Sequence, residues 1–297
     1  MKTLEAIEKL EKIKIKGKST SVIICKVPFL KNSYDGMLLG RKLYDWVAFA
    51  CNGRSIKFVD FTKGDNILSY VKKHIDKSFD YTLLLMSSTP LLESSDIDNI
   101  IEYATIKDVN LCKLPSGYIF KNDYLLNTDN YFVDSVYSFN LDNFYIVENK
   151  KQFNYALDVL QKRINDFHME NGVEIIKPSS TYIEPEVDIS DGVVIYPNNT
   201  LKGKTKIMND VILKENNVID NSKIGKGCCI SRSNVINSVL GKNVYISAFC
   251  DVLNALIGEE SIIESHSSIV NYNVEAKSKI ASHSRLGERN DSNSGTR

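Results

Sequence analysis

The sequence predicts a two-part fold, an α/β domain followed by a parallel β-helix of hexapeptide repeats, on three observations. Aliphatic residues recur every six positions from Ile183 to Leu286. Over the first half, short β-branched and leucine-rich runs alternate with stretches of helical spacing. At 297 residues the chain exceeds the usual length of one domain and suits two.

The repeat carries the most information. Ile183, Ile189, Ile195, Leu201, Ile207, Leu213 and Ile219 stand six apart without a break. The series resumes at Ile224, Ile230 and Ile236, then at Leu240, Ile246 and Val252. It continues as Ile257, Ile263 and Ile269 and closes as Val274, Ile280 and Leu286. The breaks are steps of four or five residues, so the register is corrected and never lost. Several coils add a second aliphatic two positions earlier, at Val187, Val193, Val211 and Val244. A helix of 3.6 residues per turn cannot keep one face apolar at this period, and neither can a plainly alternating strand. A solenoid can, because each six-residue step is one short strand and its turn, with the aliphatic pointing into the shaft. Three sides per coil require about eighteen residues, so the run supplies roughly six coils.

The first half is read element by element. Residues 2–14 form a short charged helix, and Ser21-Val-Ile-Ile-Cys25 is a buried strand. A loop with Pro28 and Gly36 follows, then helical spacing from Leu38 to Ala50 and a strand at Ile56-Lys-Phe-Val-Asp60. Residues 65–77 give another helix, Tyr81-Thr-Leu-Leu-Leu-Met86 the strongest strand, and Ser95 to Ala104 a helix with Ser95 as its N-cap. Asn149 to Met169 is helical, with Phe153, Ala156, Leu157, Leu160 and Ile164 on its apolar face. Strands alternating with helices imply a parallel sheet wrapped by helices. Ligands of such sheets bind beyond the carboxyl ends of the strands, here after Cys25 and Met86. A nucleotide-binding loop needs glycines for close backbone approach to phosphates and a basic side chain for charge. The stretch after Cys25 offers Lys26, Lys31 and a single glycine, Gly36. Both lysines also read as ordinary solvated side chains.

Composition narrows the class. Thirty-seven basic residues balance thirty-seven acidic ones, so no bulk field attracts nucleic acid or an anionic membrane. Six scattered cysteines without a CxxC pair argue for a reducing compartment and against a disulfide framework or a zinc site. The start of the chain has no apolar core of signal-peptide length, and no run reaches the roughly twenty apolar residues of a membrane span. A soluble, cytoplasmic protein is expected.

One stretch is no longer anonymous. Leu160, Arg163, Ile164, His168-Met169, Asn171-Gly172-Val173, Pro178 and Ser180-Thr181-Tyr182-Ile183 closely resemble one family. It is the bifunctional UDP-N-acetylglucosamine pyrophosphorylase/glucosamine-1-phosphate N-acetyltransferase (GlmU) family, at the junction of its two halves. Val194-Ile-Tyr-Pro197, Leu201-Lys-Gly203, Asn209-Asp-Val211 and Ser222-Lys-Ile-Gly225 resemble that family's early coils. The likeness is strong from about Asn149 to Val252, weaker to Gly287 and faint before residue 80. It implies a nucleotidyltransferase-like domain of Rossmann-like, GT-A type at 1–148 and a linker helix at 149–177. Behind them it implies a left-handed β-helix at 178–288, and 289–297 reads as a disordered tail. The resemblance also implies a homotrimer through the β-helix and a UDP-sugar ligand.

Its functional residues carry over only in part. The family's Leu-Ala-Ala-Gly-x-Gly-Thr-Arg loop and following Pro-Lys pair correspond to Ile24-Cys25-Lys26-Val27-Pro28, which keeps neither; Lys26 is the cation left for a phosphate. The Gly-Asp-x-Pro-Leu motif, whose aspartate holds Mg²⁺, corresponds to Ser87-Ser88-Thr89-Pro90-Leu91, so Ser88 stands for the carboxylate. Mg²⁺ prefers carboxylate and phosphate oxygens, and its affinity should fall sharply. The sugar-binding Asn-Thr-Gly corresponds to Pro115-Ser116-Gly117, leaving Gly117. The second metal-site asparagine corresponds to Asn149, which also fits an N-cap. About 150 residues precede the junction, fewer than in the family, so segments that close over uridine and sugar are expected to be missing.

In the acetyltransferase half, Ala281-Ser282-His283 corresponds to the family's Ala-Ser-His, making His283 the general-base candidate. The family's arginine falls near Leu253, its lysine near Val270-Asn271 and its tyrosine at Arg285. The sequence stops before the coils expected to hold acetyl-coenzyme A, so no acetyl-coenzyme A site is expected. A solvent-facing turn histidine is the plainer reading of His283. His266 reads as another turn residue, and His168 and His74 as structural. The expected function is a GlmU-like protein with lost or much reduced catalysis, acting by sugar-nucleotide binding or assembly. The alternative is an active UDP-N-acetylglucosamine diphosphorylase, with Mg²⁺, or a hexapeptide-repeat acetyltransferase.

Overall fold

A computed structural model describes residues 19–26, 37–61, 66–139 and 141–287. The predicted helix over 2–14, the loop with Pro28, Lys31 and Gly36, and the tail 289–297 lie outside the described residues. The chain divides into two compact units, Met1–Leu157 and Asp158–Arg297.

The first unit opens with β1 (Thr20–Lys26), a hairpin of β2 (Met37–Leu38) and β3 (Arg41–Lys42), α1 (Leu43–Ala50) and β4 (Ile56–Asp60). It continues with α2 (Ile67–Val71), β5 (Tyr81–Met86), α3 (Ser94–Lys107), β6 (Leu111–Leu114), β7 (Gly117–Lys121), α4 (Asn122–Asn127) and β8 (Ser135–Val136). The sheet order is β4-β1-β5-β7-β6-β8. Its first three strands are parallel, as the alternating sequence predicts. Beyond β5 the sheet is mixed, because β7 runs antiparallel to both β5 and β6. Pro115 and Ser116 turn β6 straight into β7, and a hairpin can only be antiparallel. Both faces are covered. Val22, Ile24, Leu83 and Leu85 pack with Val47, Ile97 and Ile100 on one side. Ile23, Cys25, Leu84 and Phe120 pack with Leu68, Val71 and Leu125 on the other. Burial on two faces explains why β1 and β5 read as unbroken apolar runs.

Three helix expectations shift. Residues 38–42 are not helical, since Leu39 and Gly40 take positive φ to turn the β2–β3 hairpin. The helix expected over 65–77 is α2 followed by a single 3₁₀ turn, Lys72–His74. In α3 the N-cap is Glu93 rather than Ser95, and the Asp96 carboxylate accepts the Glu93 N–H at 2.8 Å. The α5 helix (Lys150–Glu170) follows the junction as read.

The second unit is a parallel β-solenoid of about seven turns, whose coils pair through three parallel sheets. On one face Ile183, Leu201, Ile219, Val235, Val252, Ile269 and Leu286 stack in register. The inward residue of the fourth coil is Val235, not Ile236. Val235 is fully buried while Ile236 is half-exposed. The turn after Ile230 is one residue short, so the step there is five and the apolar pattern at the next position misleads. Each inward aliphatic contributes about 1.5–3 kcal/mol by leaving water. Corners need a residue at positive φ, and Asn198, Asn216, Asn221, Asn237, Asn243, Asn254 and Asn271 supply it. Asparagine tolerates the left-handed region because its short amide bonds locally. A buried polar spine ties the turns together. The Asn199 amide donates to the Lys214 carbonyl at 2.9 Å, its Oδ1 accepts from Asn217 at 2.9 Å, and Asn217 Oδ1 accepts the Ser233 N–H at 3.0 Å. These bonds meet the corner groups that no strand partner reaches.

Candidate functional site

The topology gathers three of the sequence-derived candidates at one sheet edge. Lys26 ends β1, Ser88 follows β5, and Gly117 begins β7 opposite Leu85. Parallel pairing puts the carboxyl ends of β1 and β5 side by side, and the Ser87 N–H donates to the Cys25 carbonyl at 2.9 Å. Lys26 does not stand free in solvent. Its ammonium lies 4.8 Å from the Tyr44 ring and 5.2 Å from Phe58, and Lys42 approaches the same Tyr44 ring at 5.8 Å. Two ammonium groups thus approach one aromatic ring at this edge.

The other candidates are held by the scaffold. The Ser88 carbonyl accepts the Val147 N–H at 2.8 Å, and Thr89 Oγ1 donates to the Met86 carbonyl at 3.0 Å. These bonds fix the turn that closes β5. Gly117 has φ +135, and a Cβ there would lie 2.0 Å from the Leu84 carbonyl oxygen. Its presence is thus explained by the close approach of β7 to β5. Asn149 Oδ1 accepts the Gln152 N–H at 3.0 Å, and Gln152 Oε1 accepts the Asn149 N–H at 3.1 Å. That reciprocal pair is a capping box at the start of α5. Among the described residues no group of three His, Cys, Asp or Glu side chains could hold a metal ion.

His283 sits on a corner of the solenoid, exposed, at φ +63. It heads an aromatic ladder that the sequence reading missed. Its ring stacks on His266 at 4.9 Å with 1° between planes, and His266 stacks on Phe249 at 5.1 Å. All three take positive φ. Aromatic side chains in the left-handed region carry strain of about 1–3 kcal/mol each, which asparagine at equivalent corners largely avoids. The signal in the sequence was their equal spacing of one coil. The turn carrying His283 is anchored by Glu264, whose Oε2 accepts from the Ser282 N–H and hydroxyl, both at 3.2 Å. The Lys279 side chain bonds Glu264 at 2.9 Å, and with Ser282 it holds that carboxyl below the ordinary range. The result is an exposed imidazole on a braced turn.

His168 and several of the cysteines are enclosed by the scaffold. His168 is buried on α5, and desolvation lowers its pKa against the opposing charge of Asp188. Burial pushes the thiols of Cys25 and Cys228 up to about 11 and that of Cys51 to about 12. In the first unit a cavity of ≈ 540 Å³ is lined by Asn66, Tyr118 and Tyr131 among others, and by none of the candidate residues.

Residues 204–296 match the family described as GlmU-like, C-terminal hexapeptide. The bifunctional protein GlmU of Caldanaerobacter subterraneus is 47% identical over 103 residues, which is 35% of this chain and 22% of that protein. The bifunctional protein GlmU of Clostridioides difficile is 41% identical over a stretch of the same length. The chain thus matches about a fifth of the length of these relatives. Among solved structures, the UDP-N-acetylglucosamine O-acyltransferase LpxA of Moraxella catarrhalis aligns with 38% of this chain and 60% of its own at 16% identity and a TM-score of 0.31. No described helix is long and apolar enough to cross a membrane.

Proposed function

We propose, for a chain whose C-terminal hexapeptide region is GlmU-like, that it acts in UDP-N-acetylglucosamine metabolism by binding sugar nucleotide or by assembly, with catalysis lost or much reduced. The observation that carries this reading is the use of Asn149. Its side-chain oxygen caps α5 and exchanges a second bond with Gln152. The corresponding position across the β5 edge is Ser88, a neutral hydroxyl. A hard divalent cation binds carboxylate oxygens far better than a hydroxyl and an engaged amide, so this donor set does not fit Mg²⁺. What the edge retains is positive charge from Lys26 and Lys42 and an aromatic surface at Tyr44 and Phe58. Those features suit a diphosphate and a ring without requiring a metal.

The acyltransferase alternative draws on a separate feature, the braced His283 turn. In that reading His283 removes a proton from an amine or hydroxyl, while Glu264 and Ser282 hold its turn in place. The family resemblance further suggests a homotrimer through the solenoid. The experiment that separates the binding reading from an active diphosphorylase is calorimetric titration with UDP-N-acetylglucosamine, with and without Mg²⁺, beside pyrophosphate release from UTP and N-acetylglucosamine-1-phosphate. Binding that is indifferent to Mg²⁺ and unaccompanied by turnover is the expected result. Turnover would overturn the reading of Ser88 and Asn149.

A further inference from the structure

The cavity of ≈ 540 Å³ in the first unit falls within the roughly 300–1,000 Å³ of small-molecule sites. It lies where the start of α2, the start of β7 and the segment from Asp129 to Val133 meet. Side-chain hydrogen bonds fix that segment along its length. Lys72 donates to the Thr128 carbonyl at 2.9 Å and to the Asp129 carboxylate at 3.0 Å. The Tyr124 hydroxyl accepts the Phe132 N–H at 3.0 Å and donates to the Phe132 carbonyl at 3.3 Å. Asp134 accepts the N–H groups of Asn110 and Leu111 at 2.8 and 3.2 Å. Phe132 therefore has a clamped backbone, yet its side chain is 74% exposed, more than any other large apolar residue described. A single exposed phenyl ring is ordinary on a surface. This one forms a cavity wall together with Tyr118 and Tyr131.

We propose that this cavity binds a neutral pyranose sugar, at a site separate from the Lys26 edge. The lining sets the ligand class. A pyranose has an apolar C–H face that lies flat against an aromatic ring, and hydroxyls that each donate and accept. Phe132, Tyr131 and Tyr118 supply the rings. Asp129 and Asn130 line the same cavity and offer a carboxylate and an amide to the hydroxyls. Asp129 is the one charged residue of the lining, and the Lys72 ammonium beside it is already held by that carboxylate. A phosphate in the cavity would face the Asp129 carboxylate with no cation in the lining to offset it. A sugar phosphate or nucleotide therefore binds less well here than the parent sugar. A wholly apolar ligand would displace water from Asp129 and Asn130 without replacing its hydrogen bonds. Because the segment is fixed before binding, little loop entropy is lost when the sugar enters. This ligand differs in charge and in place from the sugar nucleotide proposed for the Lys26 edge, and neither site requires the other.

The test is saturation-transfer NMR of the full chain with N-acetylglucosamine as the neutral probe and N-acetylglucosamine-1-phosphate as its charged counterpart. The neutral sugar should bind with a dissociation constant of about 10 mM or below. Phe132→Ala should raise that constant about five- to tenfold, the size of one lost aromatic contact. The binding that depends on Phe132 should be weaker for the 1-phosphate than for the neutral sugar. Asp129→Asn should narrow this difference, which a merely structural lesion would not do. Both side chains are exposed, Asp129 by 97%, so the variants should fold, and circular dichroism checks this. Titration with UDP-N-acetylglucosamine should be the same for Phe132→Ala as for wild type, so failure at one site is told from failure at the other. No saturation transfer to N-acetylglucosamine at about 10 mM would overturn the proposal. So would a dissociation constant unmoved by Phe132→Ala, or tighter Phe132-dependent binding of the 1-phosphate.

Discussion

In the proposed reading, a hydroxyl at residue 88 and an amide at residue 149 set what the front edge can hold. Ser88 contributes no charge, and the oxygen of Asn149 is committed to the first turn of α5. Changing Ser88 to Asp restores one carboxylate at that turn. In a Mg²⁺-dependent uridylyltransfer assay this variant should exceed wild type; equality would show that the other departures from the family's loop and sugar motif limit the reaction. Gly117 poses the opposite case. Its identity looks functional in sequence, yet the Leu84 carbonyl would lie 2.0 Å from any Cβ there, at a φ of +135. Gly117→Ala should therefore destabilise the first unit by about 3 kcal/mol or more, read as a lowered thermal midpoint, whatever ligand is present. Motif matching alone cannot make this distinction, because a glycine for ligand approach and a glycine for strand approach are the same letter.

At the scale of elements, legibility follows from how local the rule is. In the solenoid every sixth side chain enters one shaft, so a long-range fold becomes a one-dimensional pattern that survives inspection. The exception is instructive. Ile236 fits the aliphatic pattern, but Val235 pairs with Ile219 and Val252 and fills the shaft. Val235→Asp should unfold the second unit, because a buried unpaired carboxylate costs several kcal/mol. Ile236→Asp should melt within a few degrees of wild type. Equal melting of the two variants would return the inward register to Ile236. The segment from 108 to 148 was opaque for the opposite reason. Its hairpin depends on a turn whose glycine answers to β5, some thirty residues earlier, and no local pattern reports that contact. The aromatic ladder of Phe249, His266 and His283 was hidden differently, as three residues one coil apart with no common motif.

For the molecule as a whole, acid sensitivity should originate where α5 meets the first coils. The segment of α5 beyond residue 158 belongs to the second unit, and there Asn165 donates to the carbonyls of Pro178 and Thr181 at 2.9 and 3.2 Å. His168 is buried beside this junction. Desolvation lowers its pKa, and Asp188 only partly offsets the effect. The unfolded chain therefore binds this proton at higher pH than the folded one. Its contribution to stability is complete above the unfolded value of about 6.5 and declines as pH falls toward the folded value. The thermal midpoint of the second unit should drop as pH falls from neutral through 6.5, and His168→Gln should flatten that slope. A slope unchanged in His168→Gln would move the acid-sensitive group elsewhere and leave the α5 junction as apolar packing and amide bonds alone.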